Sequence, residues 1–175
     1  MEETNNQPVT GGSNKKILYI VGGIIVLGLL GSMMSRGVGY MGMRAAGVDM
    51  DQNRDGSATY SNKEGSVTVG GNKMPDNWPS DAPGNFAGAT ITYSGSSNPQ
   101  TGSAGSVVMY TVKASADAVA AQYKSELAAK GWTVESTANV AGATVIAAKK
   151  DTRTFGLYVT AVEGGDTTVQ ASVSM

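Results

Sequence analysis

The sequence predicts an α+β fold: an N-terminal transmembrane helix, followed by an antiparallel sheet covered by one helix, in the order β-β-α-β-β-β-β. Three observations predict it. Residues 17–34 form an uncharged apolar run, residues 116–130 carry one apolar stripe at helical spacing, and six short segments alternate apolar and polar residues. Alternation with period two is typical of strands that bury one face, and a single stripe is typical of a helix that covers a sheet.

The apolar run begins at Ile17, ends at Met34 and contains no charged residue. As a helix it is roughly 27 Å long, close to the hydrocarbon thickness of a bilayer. Lys15 and Lys16 precede it and Arg36 follows it. We therefore predict one transmembrane helix, with the lipid bilayer as its partner. A cleaved signal peptide and a helix buried in a soluble core are the alternatives.

This run divides the chain into four predicted regions. They are a polar N-terminal tail at 1–16, the transmembrane helix at 17–34, a Gly-rich juxtamembrane linker with short β-hairpin turns at 35–73, and a small α+β domain at 74–175. Basic residues flank the run almost equally, so orientation rests on the short polar tail, which usually stays inside. We expect a single-pass, signal-anchored protein of the cell membrane whose C-terminal domain lies outside the cytoplasm.

The elements of the C-terminal domain follow from local pattern. Strands are predicted at 88–94, 106–113, 132–136, 143–148, 154–162 and 167–173. Short connections favour antiparallel pairing, because parallel neighbours need long crossovers. The helix at 116–130 has Ser115 as its predicted N-cap and Gly131 as the residue that ends it. Its apolar stripe consists of three side chains spaced four residues apart, namely Val119, Tyr123 and Leu127.

The composition excludes several classes of chemistry. The chain has no Cys and no His, which removes thiolate catalysis and the commonest general base and transition-metal ligand. A formal net charge of -1 with scattered basic residues argues against nucleic acid as a partner, since that binding needs clustered Lys and Arg. No motif predicts a cofactor. The carboxylates that acid–base catalysis would need lie on turns, caps or exposed positions, namely Asp81, Asp117, Glu135 and Asp151. We predict no enzymatic activity.

One segment raises a metal hypothesis. Asp51, Asn53 and Asp55 alternate along the chain and are followed by Gly56, which matches the first half of a calcium-binding loop. The twelfth position of such a loop needs a bidentate Glu, and here it is Asn62. An Asn-x-Asp-Gly hairpin turn is the alternative. The sequence therefore predicts either a tight turn or a weakly calcium-responsive surface element.

Trp78 lies between two prolines in the segment that leads into the C-terminal domain. Tryptophan is enriched at recognition surfaces, so this side chain is a candidate for binding a protein partner that the sequence does not identify. Packing of the ring against the domain core is the alternative.

A resemblance extends over residues 74–175. Met74-Pro-x-x-x-Pro-Ser-Asp-x-Pro is followed by Gly88-Ala, and the helix ends at Lys130-Gly-Trp. These motifs resemble those of small bacterial membrane-anchored or lipoprotein-like envelope domains. The chain departs from that pattern in having Phe86-Ala where Tyr-Pro is common, and in lacking a lipid-bearing Cys. The resemblance implies an extracytoplasmic, envelope-associated domain and brings no catalytic residues. The predicted function is a non-enzymatic, membrane-anchored binding or envelope-associated module.

Overall fold

The structure is a computed structural model that describes residues 47–62, 65–97, 105–162 and 164–174. These residues belong to one compact unit, 39–175. They form one helix, α1, at Ala116–Ala129, and nine strands. The strands are β1 at Asp49–Gln52, β2 at Ala58–Asn62, β3 at Gly65–Val69, β4 at Thr90–Ser97, β5 at Gly105–Val112, β6 at Thr133–Val140, β7 at Ala143–Lys150, β8 at Arg153–Ala161 and β9 at Thr167–Ser174.

All nine strands join one antiparallel sheet in the order β1-β2-β3-β4-β5-β9-β8-β7-β6. Strands β1 to β5 are added one after another along the chain. The chain then crosses the sheet through α1 to the far edge and returns strand by strand until β9 pairs with β5. Strands β5 and β6 run in the same direction, because three antiparallel strands lie between them, so they need a long crossover such as α1.

The sheet corrects the predicted fold class. Three of its strands, β1 to β3, precede residue 74, so the sheet has nine strands rather than the predicted six. Strand β3 pairs with β4 over five residue pairs, from Gly65 opposite Ser97 to Val69 opposite Tyr93. The physical reason is that the open edge of β4 offers unpaired backbone N–H and C=O groups, and a neighbouring strand satisfies them.

The transmembrane part of the predicted fold class is also wrong for the structure as described. The predicted span, residues 17–34, lies outside the described residues. Within the described ranges, no helix combines the length and the apolar character that a membrane crossing requires. The predictions of a transmembrane, single-pass and signal-anchored protein are therefore not supported by this fold. The physical reason is that an apolar run shows only that a segment avoids water, and a segment buried inside a protein core does so as well.

The predicted helix is confirmed together with its ends. The Ser115 side chain caps α1 by accepting a hydrogen bond from the Ala118 amide at 3.2 Å. Gly131 follows the C-cap with φ +79°, a conformation that costs glycine little. The apolar stripe is buried as predicted, with Val119 and Leu127 fully inaccessible and Tyr123 only 2% exposed.

The core consists of the buried stripe of α1 and of buried side chains on β5, β9, β8 and β7, while β6 adds only the partly buried Val134. Phe155 on β8 is its aromatic centre. The Phe155 ring centroid lies 6.0 Å from those of Tyr123 and Trp132 and 6.4 Å from that of Trp78. Each of these rings comes from a different segment, so Phe155 joins the helix, the end of the α1–β6 connection and the segment before β4.

Candidate functional site

A cleft of about 510 Å³ lies on the other half of the sheet, against β2, β3 and β4. The turn after β1 and the segment after β3 form its rims. We call it the hydroxyl cleft, because six Ser and Thr side chains line it: Ser57, Thr59, Ser66, Thr68, Ser94 and Ser96.

The register of the strands explains why these hydroxyls share a face. Thr59 lies opposite Thr68, and Thr68 lies opposite Ser94 on the next strand. Residues directly opposite one another in an antiparallel pair point to the same side of the sheet. The Thr59 and Thr68 Oγ1 atoms are 3.0 Å apart, and the Ser66 and Ser96 Oγ atoms are 3.1 Å apart. The floor of the cleft is therefore built of hydrogen-bonded hydroxyl pairs.

The turn at residues 53–57 forms one rim and is held by its own side chains. Asn53 Nδ2 donates to Ser57 Oγ at 2.9 Å and to Thr59 Oγ1 at 3.0 Å. Asp55 Oδ1 accepts from the Ser57 hydroxyl at 2.6 Å and from the Ser57 amide at 3.1 Å. These two hydrogen bonds, with a smaller contribution from the Lys73 charge, lower the pKa of Asp55. Asp55 therefore stays ionised near neutral pH.

This geometry accounts for the residues of the calcium hypothesis. Asn53 and Asp55 both contact Ser57, which is how an Asx-type turn closes, whereas Asp51 is exposed on β1 opposite Thr59. Across the described part of the chain, no three His, Cys, Asp or Glu side chains group in a way that could hold a metal. Calcium binding stays a prediction, which thermal unfolding of the full chain in a calcium titration tests.

Charged side chains surround the hydroxyls. Arg54, Lys73 and Asp76 line the cleft together with Asp55. The ion pairs of the described residues both involve Asp81, so Arg54 and Lys73 have no carboxylate within ion-pair distance among those residues. Sequence reasoning missed this site. The signal was present in three Ser/Thr pairs spaced two residues apart, at 57 and 59, 66 and 68, and 94 and 96.

Trp78, the predicted partner-binding residue, is half-buried at the edge of the core. Its Nε1 donates to the Pro83 carbonyl at 3.0 Å, and its ring meets Phe155 edge-on. The ring thus holds the segment before β4 against the domain. A role for its exposed part in binding a protein stays a prediction.

Asp81 has a structural role. Its carboxylate accepts from Arg153 Nη1 at 2.8 Å and from Nη2 at 2.6 Å, and it pairs with Lys150 Nζ at 2.8 Å. These bonds hold the pKa of Asp81 far below its ordinary value. The Asp81 carbonyl accepts from Trp132 Nε1 at 2.6 Å. We call this group the Asp81 latch, since it joins the segment before β4 to the β7–β8 hairpin.

A START domain-like family model matches residues 91–169, which is less than half of the chain and extends from β4 into β9. No curated protein and no solved structure matches the chain. The match supports a small domain, as the sequence resemblance does, and gives no indication of membrane anchoring or of a bacterial origin. Of the six cleft hydroxyls, only those of Ser94 and Ser96 lie within the matched residues.

Proposed function

We propose that this chain is a non-enzymatic binding module whose ligand site is the hydroxyl cleft. The observation that carries the proposal is the cleft itself, a concavity of about 510 Å³ with six hydroxyls and a charged rim. Its volume falls within the range of small-molecule sites, roughly 300–1,000 Å³. Such sites are usually mostly apolar, and this lining is mostly polar, so the ligand is a small polar molecule. The START domain-like match also favours ligand binding.

The chemistry of the cleft favours binding over catalysis. A general base works best with a pKa near the working pH, and the chain has no His or Cys to supply one. Asp55 has a lowered pKa, which makes it a poorer base. Burial raises the pKa of Tyr110 to about 12, and the hydroxyls of Tyr110 and Tyr123 bond to each other inside the core, away from the cleft.

Two further expectations accompany this proposal. We expect the C-terminal domain to lie outside the cytoplasm. A reporter that is active only there, fused after Met175, tests this expectation. A protein partner at Trp78 is the other, and crosslinking from that position in the full chain tests it. Neither is needed for the cleft to bind a small ligand.

The test is a titration of the full, isotope-labelled chain, followed by the NMR shifts of its backbone amides. The probes are inorganic phosphate, acetate and methyl glucoside. We expect at least one probe to shift the amides of Thr59, Ser66 and Ser94 and to leave those of Val119 and Leu127 in place. If no probe shifts the cleft amides at millimolar concentration, the proposal is wrong.

Glycine positions supply a blocking variant and its control. A Cβ at Gly71 lies 3.0 Å from Thr68 Cγ2 and 3.2 Å from Ser57 Cβ, so Gly71→Ala crowds the cleft wall. A Cβ at Gly84 meets nothing within 4 Å, so Gly84→Ala in the same segment is the matched control. Probe binding should weaken in Gly71→Ala and persist in Gly84→Ala. Equal binding by the two variants would place the ligand elsewhere.

A further inference from the structure

The hydrogen bonds on the floor of the cleft leave spare donors. A hydroxyl has one O–H to donate, and a pair of hydroxyls uses only one of its two O–H groups to bridge them. The pairs Thr59–Thr68 and Ser66–Ser96 therefore each keep one O–H free. The hydroxyl of Ser94, a residue only 6% exposed, has no hydrogen-bond partner among the described residues. Three O–H donors on the floor are available to a ligand.

Among the described residues, the cations of the cleft are unpaired, while one of its acceptors is already in use. One Asp55 oxygen accepts two hydrogen bonds from Ser57. Arg54 offers up to five N–H donors and Lys73 three, and neither has an ion pair among the described residues. Two carboxylates on the lining oppose an anion: Asp55, and Asp76, whose carboxylate has no partner among the described residues.

We propose that the ligand of the hydroxyl cleft carries an oxyanion, a carboxylate or a phosphate group, bound by Arg54 and Lys73 and by the free O–H groups of the floor. This inference rests on the proposed function of the cleft. An oxyanion accepts several hydrogen bonds at once and offers none, so it matches a surface whose unused groups are mainly donors. A neutral saccharide offers O–H donors as well as acceptors, so it does not match a surface of unused donors as closely. Sugar sites also often stack the ring on an aromatic side chain, and no aromatic ring is present among the described residues that line the cleft.

The test compares the same three probes on the full chain. Phosphate and acetate should shift the cleft amides, and methyl glucoside should not. Because the cations are exposed to solvent, binding of either anion should weaken as sodium chloride is added. A preference for phosphate or for acetate then distinguishes the two kinds of oxyanion, and either preference supports the proposal.

Three substitutions assign the binding to named groups. Arg54→Gln and Lys73→Gln should each weaken anion binding about tenfold, the effect of losing one charge-assisted hydrogen bond. Lys124→Gln, on the exposed side of α1, is the matched control and should leave affinity unchanged. Asp76→Asn should strengthen anion binding, because it removes one of the two negative charges on the lining. All four positions are exposed, and a thermal melt of each variant checks that it is folded.

The outcomes separate this inference from the proposed function. If methyl glucoside binds in the cleft and the anions do not, the ligand is neutral: the inference is wrong and the binding function stands. If phosphate binds equally well to Arg54→Gln, Lys73→Gln and the unchanged chain, the anion is adventitious and the inference is also wrong. If no probe binds in the cleft, both proposals fail.

Discussion

One face of one sheet serves two purposes in this molecule. On β7, β8 and β9 the side chains that point to this face are largely apolar, among them Ile146, Leu157 and Val169, and they are covered by α1 or by its neighbours. On β2, β3 and β4 the side chains that point to the same face are largely hydroxyls, and they line an open cleft. Backbone pairing is antiparallel in both halves. The two halves differ in the alternate residues that point to this face, which are apolar in one half and carry hydroxyls in the other.

The comparison shows how a sheet can keep an open polar cleft beside a packed core. Burial of apolar area stabilises the fold by roughly 25 cal/mol per Å², so the apolar half gains from being covered. Hydroxyls gain nothing from burial unless each finds a partner, so the polar half can stay open. The segment between β3 and β4 contributes to both halves, with Lys73 on the cleft and Trp78 on the core.

At the border of the apolar half, two tyrosines form a continuous hydrogen-bond chain. Tyr123 donates to the Gly84 carbonyl at 2.8 Å, so the Tyr110 hydroxyl must donate to Tyr123 at 2.8 Å. Tyr110 in turn accepts from the Phe86 amide at 3.3 Å. The chain Phe86 to Tyr110 to Tyr123 to Gly84 therefore satisfies two buried hydroxyls and ties the segment before β4 to β5 and to α1.

The largest expected effect is in the apolar half. Phe155→Ala removes the ring that three other rings contact, and it should lower the free energy of unfolding by roughly 3–5 kcal/mol. Urea unfolding of the full chain measures the change. Tyr158→Ala on the same strand, but on the opposite face and 46% exposed, is the control and should cost less than about 1 kcal/mol. Similar losses for the two variants would contradict the division of the sheet into a packed and an open face.

The tyrosine chain should give the next largest effect. Tyr123→Phe leaves the Tyr110 hydroxyl without an acceptor and the Gly84 carbonyl without a donor, which should cost about 1–3 kcal/mol. Tyr110→Phe leaves only the Phe86 amide without its partner, because Tyr123 still donates to Gly84, and should cost less. The two free energies of unfolding, measured under the same conditions, test this order. The reverse order would contradict the roles assigned to the two hydroxyls.

The Asp81 latch predicts a dependence of stability on acid. Since the folded protein lowers the pKa of Asp81 below its ordinary value of 3.8, the contribution of the latch is present above that pH and is lost as the pH falls below it. Asp81→Asn should therefore melt at a lower temperature than the unchanged chain at pH 7, and the difference should shrink in acid. Asp51→Asn, at an exposed position on β1, is the control. A difference that is the same at pH 7 and in acid would show that the charge of Asp81 does not matter.

The smallest change in stability is expected on the cleft floor, where the effect on binding should be large. Thr68→Val keeps the shape of the side chain and removes the hydroxyl that meets Thr59, and it should change the free energy of unfolding by less than about 1 kcal/mol. Binding of the oxyanion probes should weaken, because a ligand oxygen that meets the Thr68 hydroxyl would meet a methyl group instead, although Thr59 keeps its O–H. Thr168→Val on β9, a half-buried position outside the cleft, is the control for both measurements. Unchanged probe binding in Thr68→Val would show that the Thr68 hydroxyl takes no part in binding.

Among the described residues, features built from residues close together in the chain were predicted correctly, and features built from distant residues were not. The helix was predictable because its cap at Ser115, its stripe and its ending at Gly131 all lie within 17 residues. Strands β4 to β9 overlap segments whose alternation is visible locally. The pairing of β3 with β4 was not predictable from pattern, because any edge with free backbone groups could accept a strand. The transmembrane helix was inferred from the length and hydropathy of one run and from the basic residues beside it, and the structure does not support this part of the fold class.

The candidate site was harder to predict than the core for the same reason. Its hydroxyls come from three strands and from the turn before β2, and Ser66 and Ser96 are 30 residues apart in the chain. Hydroxyls spaced two residues apart are individually unremarkable, and only the register places three such pairs side by side. The Asn-x-Asp pattern at Asn53 and Asp55 lies in a turn that belongs to the candidate site, but the sequence suggested calcium binding there. In the structure this turn forms a rim of the cleft.

The sequence by itself determined the local elements of the C-terminal domain and the chemistry that the chain lacks, because helix caps, side-chain periodicity and the absence of His and Cys are properties of neighbouring residues and of composition. The tertiary structure decided which strands join the sheet, which of its halves is covered, and that hydroxyls from three strands meet beside Arg54 and Lys73. Those features depend on backbone groups and side chains that are far apart in the chain and find each other only when the sheet forms.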